Sequence, residues 1–579
     1  MKKRVFLPVI ILFTIFSGCG DYIEIFPADE DREFDTGSFI VFPELNEQLI
    51  NDLDLLGRIW GFLKYHHPEV GKGNYNWDYE LFRLLPRYLQ VKNIKERDKV
   101  LLEWIKQYGE IPVCTSCRET HSNAFIKPNL LWAENSNMNS VLKEKITYIY
   151  KNRHQGDQYY IKMSDVGAPE FLNEISYSNM IFPDAGYRLL ACYRFWNMIQ
   201  YFFPYKYLTD KNWDDALREY IPIVLSAENR LEYELKITQL ICEINDSHAN
   251  YAWGGRVKLD ESRGSNYAPF QVRFIEGKLV VTLYYNSELK ETASLDIGDI
   301  ITHINGETVE SIVENRKKYY LASNEASSLR FISYDLLRSN QNIITVSSEQ
   351  AGQMEIQLFN RYSLNIHSWT DGWYRVDKSK KCYRFIDENI GYVTLASIKE
   401  EDVSEIRSYF ANTKGIIIDI RNYPASVSAY FSLSSFFVSG ATPFAKQTKG
   451  NSDHPGAFTL KPVYQISNTG GNTYKGKLMV LINEITFSNG EYAAMAYRAG
   501  SNTTIIGSTT AGAVGKNPKI VLPGGLTTTM TGLGTYYPDG RETQRIGIIP
   551  DFWLEPTIEG IREGRDELLE MAIKLINEQ

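Results

Sequence analysis

Ser488 lies where an apolar run gives way to a helix-like run, a position at which a hydroxyl can act as a nucleophile. Residues 478–482 predict a strand, residues 483–491 form the junction, and residues 492–497 predict a helix. A serine at such a junction projects its hydroxyl toward a substrate, beside the positive end of the helix dipole. Serines also cap helices at this position. Taken alone, the segment therefore leaves a nucleophile and an N-cap open.

Two histidines, each in a polar segment that closes a helical region, supply candidates for a general base. His248 lies in segment 246–250 and His121 in segment 119–123. A neutral imidazole can take the proton of an attacking hydroxyl and later return it to the leaving group. A single site needs only one such base, and a structural role near a helix end is the alternative for either residue.

The cysteines do not define a metal site or a disulfide scaffold. Cys114 and Cys117 have a Cys-x-x-Cys spacing, with His121 nearby, but a structural zinc site requires a second pair of ligands that the sequence does not show. Without Cys19, the set is odd in number and sparse. We interpret Cys114 and Cys117 as a local disulfide or two plain thiols, and we predict no metal and no cofactor.

The charge of the chain argues against nucleic acid as a partner. The 579 residues carry a net charge of -9, and no basic run is present that could neutralise a phosphate backbone.

The N-terminus has the pattern of an export signal. Basic residues at positions 2–4 precede an apolar stretch, 5–16, and small residues lie directly before Cys19. The apolar stretch is too short to span a bilayer comfortably, and the small residues before cysteine resemble a bacterial lipobox. We therefore predict a lipid anchor on Cys19 and a location in the bacterial cell envelope, periplasmic or on the outer-membrane surface. A plain soluble secretion signal is the alternative.

One set of landmarks occurs twice in the N-terminal half, always 136 positions apart. The landmarks are Arg58, Trp60, Pro68, Trp77 and Asp78, matched by Arg194, Trp196, Pro204, Trp213 and Asp214. A constant offset indicates two copies of one helical unit. Each copy predicts a helix, a proline turn, a second helix begun near Trp-Asp and a third helix, at about 95–108 and 230–243.

A β-rich stretch follows, from about 265 to 362. Within it, Gly298, Asp299 and Ile300 lead to an Asn-Gly turn at positions 305–306. This segment resembles a PDZ domain, a module that captures an extended peptide by adding it to a sheet edge. The resemblance implies peptide binding by Gly298, Asp299 and Ile300. A β-domain that serves only as a spacer is the alternative.

The last 200 residues alternate apolar strands with helices, as an α/β core does. The predicted strands are 391–395, 415–420, 477–482 and 504–507, and the chain ends in a predicted amphipathic helix, 561–576.

The order of helical region, PDZ-like module and α/β core resembles peptidase family S41, the tail-specific and tricorn-like proteases. The family pattern of Asn, then Ser, then Glu three positions later matches Asn483, Ser488 and Glu491, and the segments 419–424 and 547–551 match two further landmarks. The resemblance implies a multidomain α+β protein with a ClpP/crotonase-like peptidase core. It also implies a serine endopeptidase that acts on extended polypeptides through an acyl-enzyme, with Arg421 and Glu491 in supporting roles.

Two branches of the family differ in their base. The lysine branch places its base at a position that is Ala513 here, with Lys516 as a fallback, so a Ser–Lys dyad is disfavoured. The tricorn-like branch takes a histidine from an Asp-x-His-like segment, which His248 matches. The third member of that branch would be Glu542 or Gln544, and the sequence does not decide between them.

The resemblance implies an oxyanion hole made of the backbone N–H groups of Asn489 and of a residue near Ala425. The family usually has Gly-Gly after Pro424, whereas this chain has Ala425 and Ser426. An inactive or weakened relative that binds peptides or a protein partner is therefore the alternative function. The oligomeric state stays open.

These interpretations divide the chain into segments. They are a signal peptide 1–18, a tether 19–45, helical units 46–135 and 181–262 joined by 136–180, a PDZ-like domain 263–365 and the peptidase core 366–579.

Overall fold

The computed structural model describes residues 25–117, 124–250, 254–366, 376–468 and 471–578. Cys19, the predicted signal peptide 1–18 and His121 lie outside the described residues. Among the helices of the described ranges, none combines the length and the apolar character that a bilayer crossing requires.

The N-terminal half is mainly helical and contains one short hairpin. Its elements are α1 Pro27–Glu30, α2 Glu47–His66, α3 Pro68–Gly71, α4 Trp77–Tyr88, α5 Ile94–Lys106, α6 Leu131–Asn135, α7 Ser140–Lys151, β1 Ile161–Met163, β2 Pro169–Phe171, α8 Ala185–Phe202, α9 Trp213–Leu225, α10 Arg230–Cys242 and α11 Val257–Arg263. Every residue of α8 after Ala185 is buried, because α8 packs against α2, α9 and α10. Asn46 and Asp184 cap α2 and α8 by accepting backbone N–H bonds.

The repeated landmarks make matching contacts. The Trp60 and Trp77 indoles each donate to the backbone carbonyl of the other, and Trp196 and Trp213 do the same. The ion pairs, by contrast, connect the two segments. Arg58 pairs with Asp214 at 3.4 Å, and the buried Arg194 guanidinium pairs with Asp78. The arginine of each helical segment therefore pairs with the aspartate of the other, and the two ion pairs use equivalent positions of the repeat.

A β-domain follows the helices. Its elements are β3 Asn266–Tyr267, β4 Phe270–Ile275, β5 Lys278–Tyr284, β6 Ile300–Ile304, β7 Glu307–Thr308, α12 Val309–Lys317, α13 Glu325–Asp335, β8 Arg338–Ser339, β9 Ile343–Ser348, β10 Gly352–Gln357 and β11 Phe359–Asn360. The main sheet has the order β10-β9-β6-β5-β4, and β7 pairs with β6. The edges of this sheet are therefore β10 and β4.

Gly298, Asp299 and Ile300 do not lie at a free sheet edge, so the prediction that they receive an added strand is wrong. Ile300 opens β6, which runs between β5 and β9. The Gly298 N–H donates to the Val281 carbonyl at 2.8 Å, and the Asp299 carbonyl accepts from Val281 N–H at 3.0 Å. The Ile300 N–H donates to the Gln350 side chain at 3.0 Å. These backbone groups are already paired within the domain.

The C-terminal part is an α/β layer structure. Its elements are β12 Tyr383–Asp387, β13 Ile390–Thr394, α14 Asp402–Phe410, β14 Gly415–Asp419, α15 Val427–Ser434, β15 Thr442–Gly450, β16 Phe458–Leu460, β17 Tyr464–Ile466, β18 Lys477–Ile482, α16 Asn489–Arg498, β19 Thr503–Gly507, β20 Lys519–Leu522, β21 Leu526–Thr529, β22 Thr535–Tyr536, β23 Phe552–Trp553, α17 Ile558–Arg562 and α18 Glu567–Asn577. The central sheet has the order β12-β13-β14-β18-β19-β23, and all its strands after β12 run parallel.

Alternation along the central strands explains the two helical layers. In β14, Ile416 and Ile418 pack with residues of α14, α15 and α16, whereas Ile417 packs with residues of α18. Successive strand residues point to opposite faces, so a continuous apolar run is buried on both sides. The parallel strands place their carboxyl ends, including the end of β18 before Ser488, along one edge of the sheet.

The C-terminal helix and the Cys114–Cys117 pair are both predicted from local sequence. The amphipathic helix predicted over 561–576 is divided into α17 and α18, because Gly564 adopts a φ of +68° between them. Cys114 and Cys117 form a disulfide. The described residues contain no group of His, Cys, Asp and Glu side chains that could hold a metal ion.

Candidate active site

Ser488 lies at the sharp turn between β18 and α16, directly before the first residue of the helix. Its backbone has φ +53° and ψ -109°, a combination that an L-residue adopts only when its surroundings impose it. The Glu491 carboxylate accepts the Ser488 N–H at 3.2 Å, and the Ser488 carbonyl accepts the Tyr492 N–H at 2.9 Å. The turn is therefore fixed from both sides of the residue.

His248 comes from the helical half of the chain and reaches this serine. It lies in a 3₁₀ turn, Ser247–Asn250, that follows α10. Its Nε2 atom is 3.0 Å from the Ser488 Oγ atom, across 240 positions of sequence. The Thr528 and Thr529 hydroxyls of β21 donate to the carbonyls of Ala249 and His248. These bonds connect the turn to the α/β part that carries Ser488.

The other imidazole nitrogen contacts a hydroxyl. His248 Nδ1 is 2.7 Å from Thr531 Oγ1, and that hydroxyl donates to Asp246 Oδ1 at 2.9 Å. Asp246 Oδ1 also accepts from the His248 N–H at 3.0 Å, and its Oδ2 accepts from the Thr531 N–H. Ser488, His248, Thr531 and Asp246 thus form one chain of hydrogen bonds.

This chain determines which imidazole nitrogen carries the proton. An ionised carboxylate only accepts hydrogen bonds, so Thr531 must donate its one hydroxyl proton to Asp246. In the contact with His248 the Thr531 oxygen must then be the acceptor, so Nδ1 carries the hydrogen and donates it to this hydrogen bond. Nε2 is left as the acceptor that faces the Ser488 hydroxyl, which is the arrangement a general base requires.

Neither Glu542 nor Gln544 contacts the imidazole, so the prediction of a direct third member is wrong. Gln544 Nε2 donates to Asp246 Oδ1 at 3.3 Å and so lies one group further back. Glu542 accepts from the Tyr207 hydroxyl at 2.6 Å instead. The Thr531 side chain occupies the position next to Nδ1. The signal that could have indicated it is the run of threonines at 527–529 and 531, which lie in and just after β21, the strand that packs on the histidine turn.

Burial and charge act in opposite directions on His248. Removal from water lowers the pKa of the imidazole below its ordinary 6.5, and the Asp246 carboxylate, 3.8 Å away, opposes this shift. The neutral ring is therefore the favoured state near neutral pH.

Glu491 connects the serine turn to the neighbouring loop. Its buried carboxylate accepts from the Thr510 hydroxyl at 2.5 Å and from the N–H groups of Gly512 and Ala513 at 2.7 and 3.1 Å. Burial raises the pKa of Glu491 to about 7, and these donors, with the Ser488 N–H, oppose the rise. The two carboxylate oxygens of Glu491 thus accept hydrogen bonds from four donors, and this is how Glu491 can support the serine turn.

Known proteins resemble this chain in sequence and in fold. Residues 389–554 match the family model described as peptidase family S41. These residues form an S41 peptidase domain. This confirms the resemblance predicted from Asn483, Ser488 and Glu491.

The tricorn protease of Thermoplasma volcanium is 22% identical over 383 residues, which are 62% of this chain and 33% of that protein. The chain therefore spans about a third of the length of this curated relative. Mature CPAF complexed with lactacystin aligns with a TM-score of 0.51 and 14% identity, covering 68% of this chain and 98% of that one. A CPAF mutant gives a TM-score of 0.55 with the same identity and coverage. At these identities the structures show a shared fold.

The predicted oxyanion donor Asn489 begins the helix that follows Ser488, and its role stays a prediction. Asn489 is the first residue of α16, and the N–H groups of a first helical turn have no partner within their helix. The Ala425 N–H, in contrast, donates to the Leu395 carbonyl at 2.9 Å. The Ala425 N–H itself is therefore not the second donor in this conformation, because it is bonded within the protein, and a donor at another residue near Ala425 stays a prediction.

Arg421 has a structural role at the carboxyl edge of the sheet. Its guanidinium contacts Asp419 at 2.7 Å and Asp566, the N-cap of α18, at 2.7 Å. It therefore supports the site from a distance, by fixing the end of β14 to the helical layer behind the sheet.

An open cleft of about 450 Å³ contains Ser488 and His248. Lys516, the fallback base of the lysine branch, lines this cleft with an exposed side chain, whereas the Ser488 hydroxyl contacts His248. Ala513 is fully buried, and its N–H is bonded to Glu491. The geometry therefore favours the histidine arrangement.

Proposed function

We propose that this protein is a serine endopeptidase that cleaves extended polypeptides through an acyl-enzyme on Ser488. The observation that carries the proposal is the 3.0 Å contact between Ser488 Oγ and an imidazole nitrogen that must be unprotonated. Homology to proteases of family S41 supports the same class of reaction.

In the first half of the reaction, Ser488 Oγ attacks the carbonyl carbon of the scissile peptide bond while His248 Nε2 takes the hydroxyl proton. Such positioned proton transfer contributes about 100- to 10,000-fold to a rate. The Asn489 N–H, at the positive end of α16, stabilises the negative oxygen of the tetrahedral intermediate. His248 then gives the proton to the leaving nitrogen, the C–N bond breaks, and an ester on Ser488 remains.

In the second half, water takes the place of the amine. His248 Nε2 removes a proton from the water, the hydroxide adds to the ester carbon, and the carboxylic acid leaves as Ser488 regains its proton. In both halves the imidazolium is stabilised through the Thr531 hydroxyl and the Asp246 carboxylate.

Labelling with a serine-reactive phosphonate, combined with peptide cleavage, tests the proposal. We expect the wild-type protein to be labelled on Ser488 and to cleave an unfolded polypeptide. Ser488→Ala should abolish both, and His248→Ala should reduce cleavage by about 100-fold or more. Labelling that persists in Ser488→Ala, or cleavage that depends on Lys516 and not on His248, would refute the assignment.

A weakened enzyme is the second candidate, and the Ala425 geometry favours it. The Ala425 N–H is bonded to Leu395 and so does not serve as an oxyanion donor in this conformation, and such a donor is worth about 3 kcal/mol in the transition state. Binding of an unfolded polypeptide to wild type and Ser488→Ala alike, without phosphonate labelling of wild type, would support this alternative.

We also propose that the β-domain is a PDZ-like module that holds the substrate, at β4 or β10, the edges of its sheet. A photo-crosslinking extended peptide, added to Ser488→Ala, should label one of these two strands. Crosslinks confined to the helical half would contradict the proposal.

We also propose that the two helical segments arose by duplication, which their matching tryptophan contacts support.

We propose that the protein is anchored in the bacterial envelope by a lipid on Cys19. Metabolic labelling with a fatty acid, followed by membrane fractionation, should give a labelled membrane protein in wild type and an unlabelled protein in Cys19→Ser. Equal labelling of both would contradict the anchor.

A further inference from the structure

The hairpin of β1 and β2 reaches the catalytic cleft from outside the S41 domain. It lies between the two helical segments in sequence, and its strands pair from Ile161 with Phe171 to Met163 with Pro169. Within the turn, the Ser164 N–H donates to the Ala168 carbonyl at 2.8 Å and the Gly167 N–H to the Ser164 carbonyl at 2.7 Å. The tip therefore has a defined backbone conformation.

The hairpin tip contacts β15 and the loop between β21 and β22. The Gly450 N–H at the end of β15 donates to the Gly167 carbonyl at 3.0 Å. Pro169 packs so closely on Gly532 that a Cβ atom there would lie 2.9 Å from the proline ring. Gly167 has a φ of +80° and no space for a side chain beside Lys449. This close backbone approach leaves the tip little freedom to move away from the cleft.

Val166 is the hairpin residue that lines the cleft with Ser488 and His248. Val166 is 42% exposed although the neighbouring Gly167 and Ala168 are buried. A rigid turn thus presents an apolar side chain to solvent at the active site. Burial of that side chain by an apolar substrate group would be favourable, because it removes apolar surface from water.

The cleft that Val166 lines has aliphatic, polar and basic side chains. Val514 and Leu533 supply aliphatic surface, and Lys516 supplies a positive charge. Among the described residues that line the cleft there is no carboxylate. A lysine or arginine side chain of a substrate would therefore find no acidic partner among these residues, and it would meet the positive charge of Lys516.

We propose that Val166 determines specificity, by forming the wall of a subsite that accepts an apolar substrate side chain beside the scissile bond and disfavours a basic one. This inference rests on the proposed peptidase function and deepens it. It assigns substrate selection to a segment that lies outside residues 389–554.

Cleavage-site profiling tests the role of Val166. Wild type, Val166→Asp and a control variant are incubated with the same peptide library, and cut sites are identified by mass spectrometry. We expect wild type to prefer apolar residues at one position near the cut. Val166→Asp should shift that position alone toward Lys and Arg, changing the ratio of kcat/KM for basic over apolar peptides by about 10-fold or more.

Val141→Asp is the matched control, since Val141 is also an exposed valine, on α7, and does not line the cleft. Its profile should equal that of wild type. Thermal unfolding and phosphonate labelling of Ser488 show whether each variant is folded with a reactive serine. A Val166→Asp variant that is too unstable to assay is replaced by Val166→Phe, which should narrow the subsite and favour smaller apolar residues.

The experiment distinguishes a wrong role for Val166 from a wrong proposed function. A labelled, active wild type whose cleavage profile is unchanged by substitution of Val166 would overturn the inference alone. A wild type that takes no phosphonate on Ser488 and cuts nothing in the library would overturn the proposed function, and the inference with it.

Discussion

At the scale of single residues, the site depends on a hydroxyl placed between an imidazole and a carboxylate. Thr531 relays the orienting effect of Asp246, since the carboxylate oxygen itself is 3.8 Å from His248 Nδ1. The relay leaves Asp246 fully buried and engaged with backbone N–H groups of both His248 and Thr531. Thr531 is thus a positioning residue, and its loss should affect the tautomer of the base more than the binding of substrate.

Substitution of Thr531 by Val removes the hydroxyl and keeps the shape. We expect kcat to fall by about 10- to 100-fold with a small change in KM, less than the about 10⁴-fold loss when the orienting carboxylate of a Ser-His-Asp triad is altered. Thr531→Ser should restore most of the rate. Steady-state kinetics on one peptide substrate measures the effect.

Thr238→Val serves as the control for Thr531→Val. Thr238 is equally buried, but its hydroxyl bonds to the Glu234 carbonyl within α10. Equal losses of kcat in the two variants would show that Thr531 acts only on stability.

The low pKa of His248 predicts the acidic limb of the pH profile. The base works only when neutral, and burial lowers its pKa below 6.5. As pH falls, activity should therefore persist past pH 6.5 and be lost only below it. Measurement of kcat/KM from about pH 5 to about pH 9 reports this pKa in the free enzyme. An acidic midpoint at or above 6.5 would contradict the argument.

At the scale of secondary-structure elements, the turn from β18 to α16 is held by Glu491 of the helix's first turn. The Glu491 carboxylate receives the Ser488 N–H and the donors of the 510–513 loop, so strand, helix and loop converge on one side chain. The positive φ of Ser488 is maintained by this convergence. The sequence pattern of Ser and Glu three positions apart therefore has a direct structural reason.

Replacement of Glu491 by Gln exchanges one accepting carboxylate oxygen for an NH₂ group, although the surrounding groups donate hydrogen bonds to this side chain. We expect a loss of about 1–3 kcal/mol in the free energy of unfolding, because one N–H is left without an acceptor. Chemical denaturation monitored by tryptophan fluorescence measures it.

Glu401→Gln is the control for Glu491→Gln and should stay within about 0.5 kcal/mol of wild type, since Glu401 is exposed. A neutral effect of Glu491→Gln would show that the four donors do not fix the turn.

At the scale of the whole molecule, the active site exists only because the helical half and the S41 domain pack together. Ser488 and His248 belong to different halves, and β21 joins them through the carbonyls of the histidine turn. Arg194, at the centre of the helical half, bonds to Asp78 and also to the Val521 carbonyl of β20. This buried arginine therefore contacts both helical segments and the α/β part.

Substitution of Arg194 by Met should destabilise the whole assembly. It leaves Asp78 buried without its charge partner, which costs about 3–5 kcal/mol. Arg218→Met is the control, because the Arg218 pair with Glu47 also joins the two segments but is exposed, and such pairs contribute at most about 1 kcal/mol. Denaturation midpoints of both variants measure the difference, and equal midpoints would contradict a structural role for the buried pair.

The sequence by itself determined the local features of this protein. The sequence predicts the strand-to-helix turn at Ser488, the strands of the α/β layer and the S41 relationship. Each of these depends on short patterns of residues that are close together in the chain. The tertiary structure decided the partner of His248 Nδ1. Thr531 lies 283 positions from that histidine, and the Ala425 N–H bonds to Leu395, which precedes it by a helix and a strand. A hydrogen bond depends on positions to within about 0.5 Å, which packing of distant segments sets and local pattern does not.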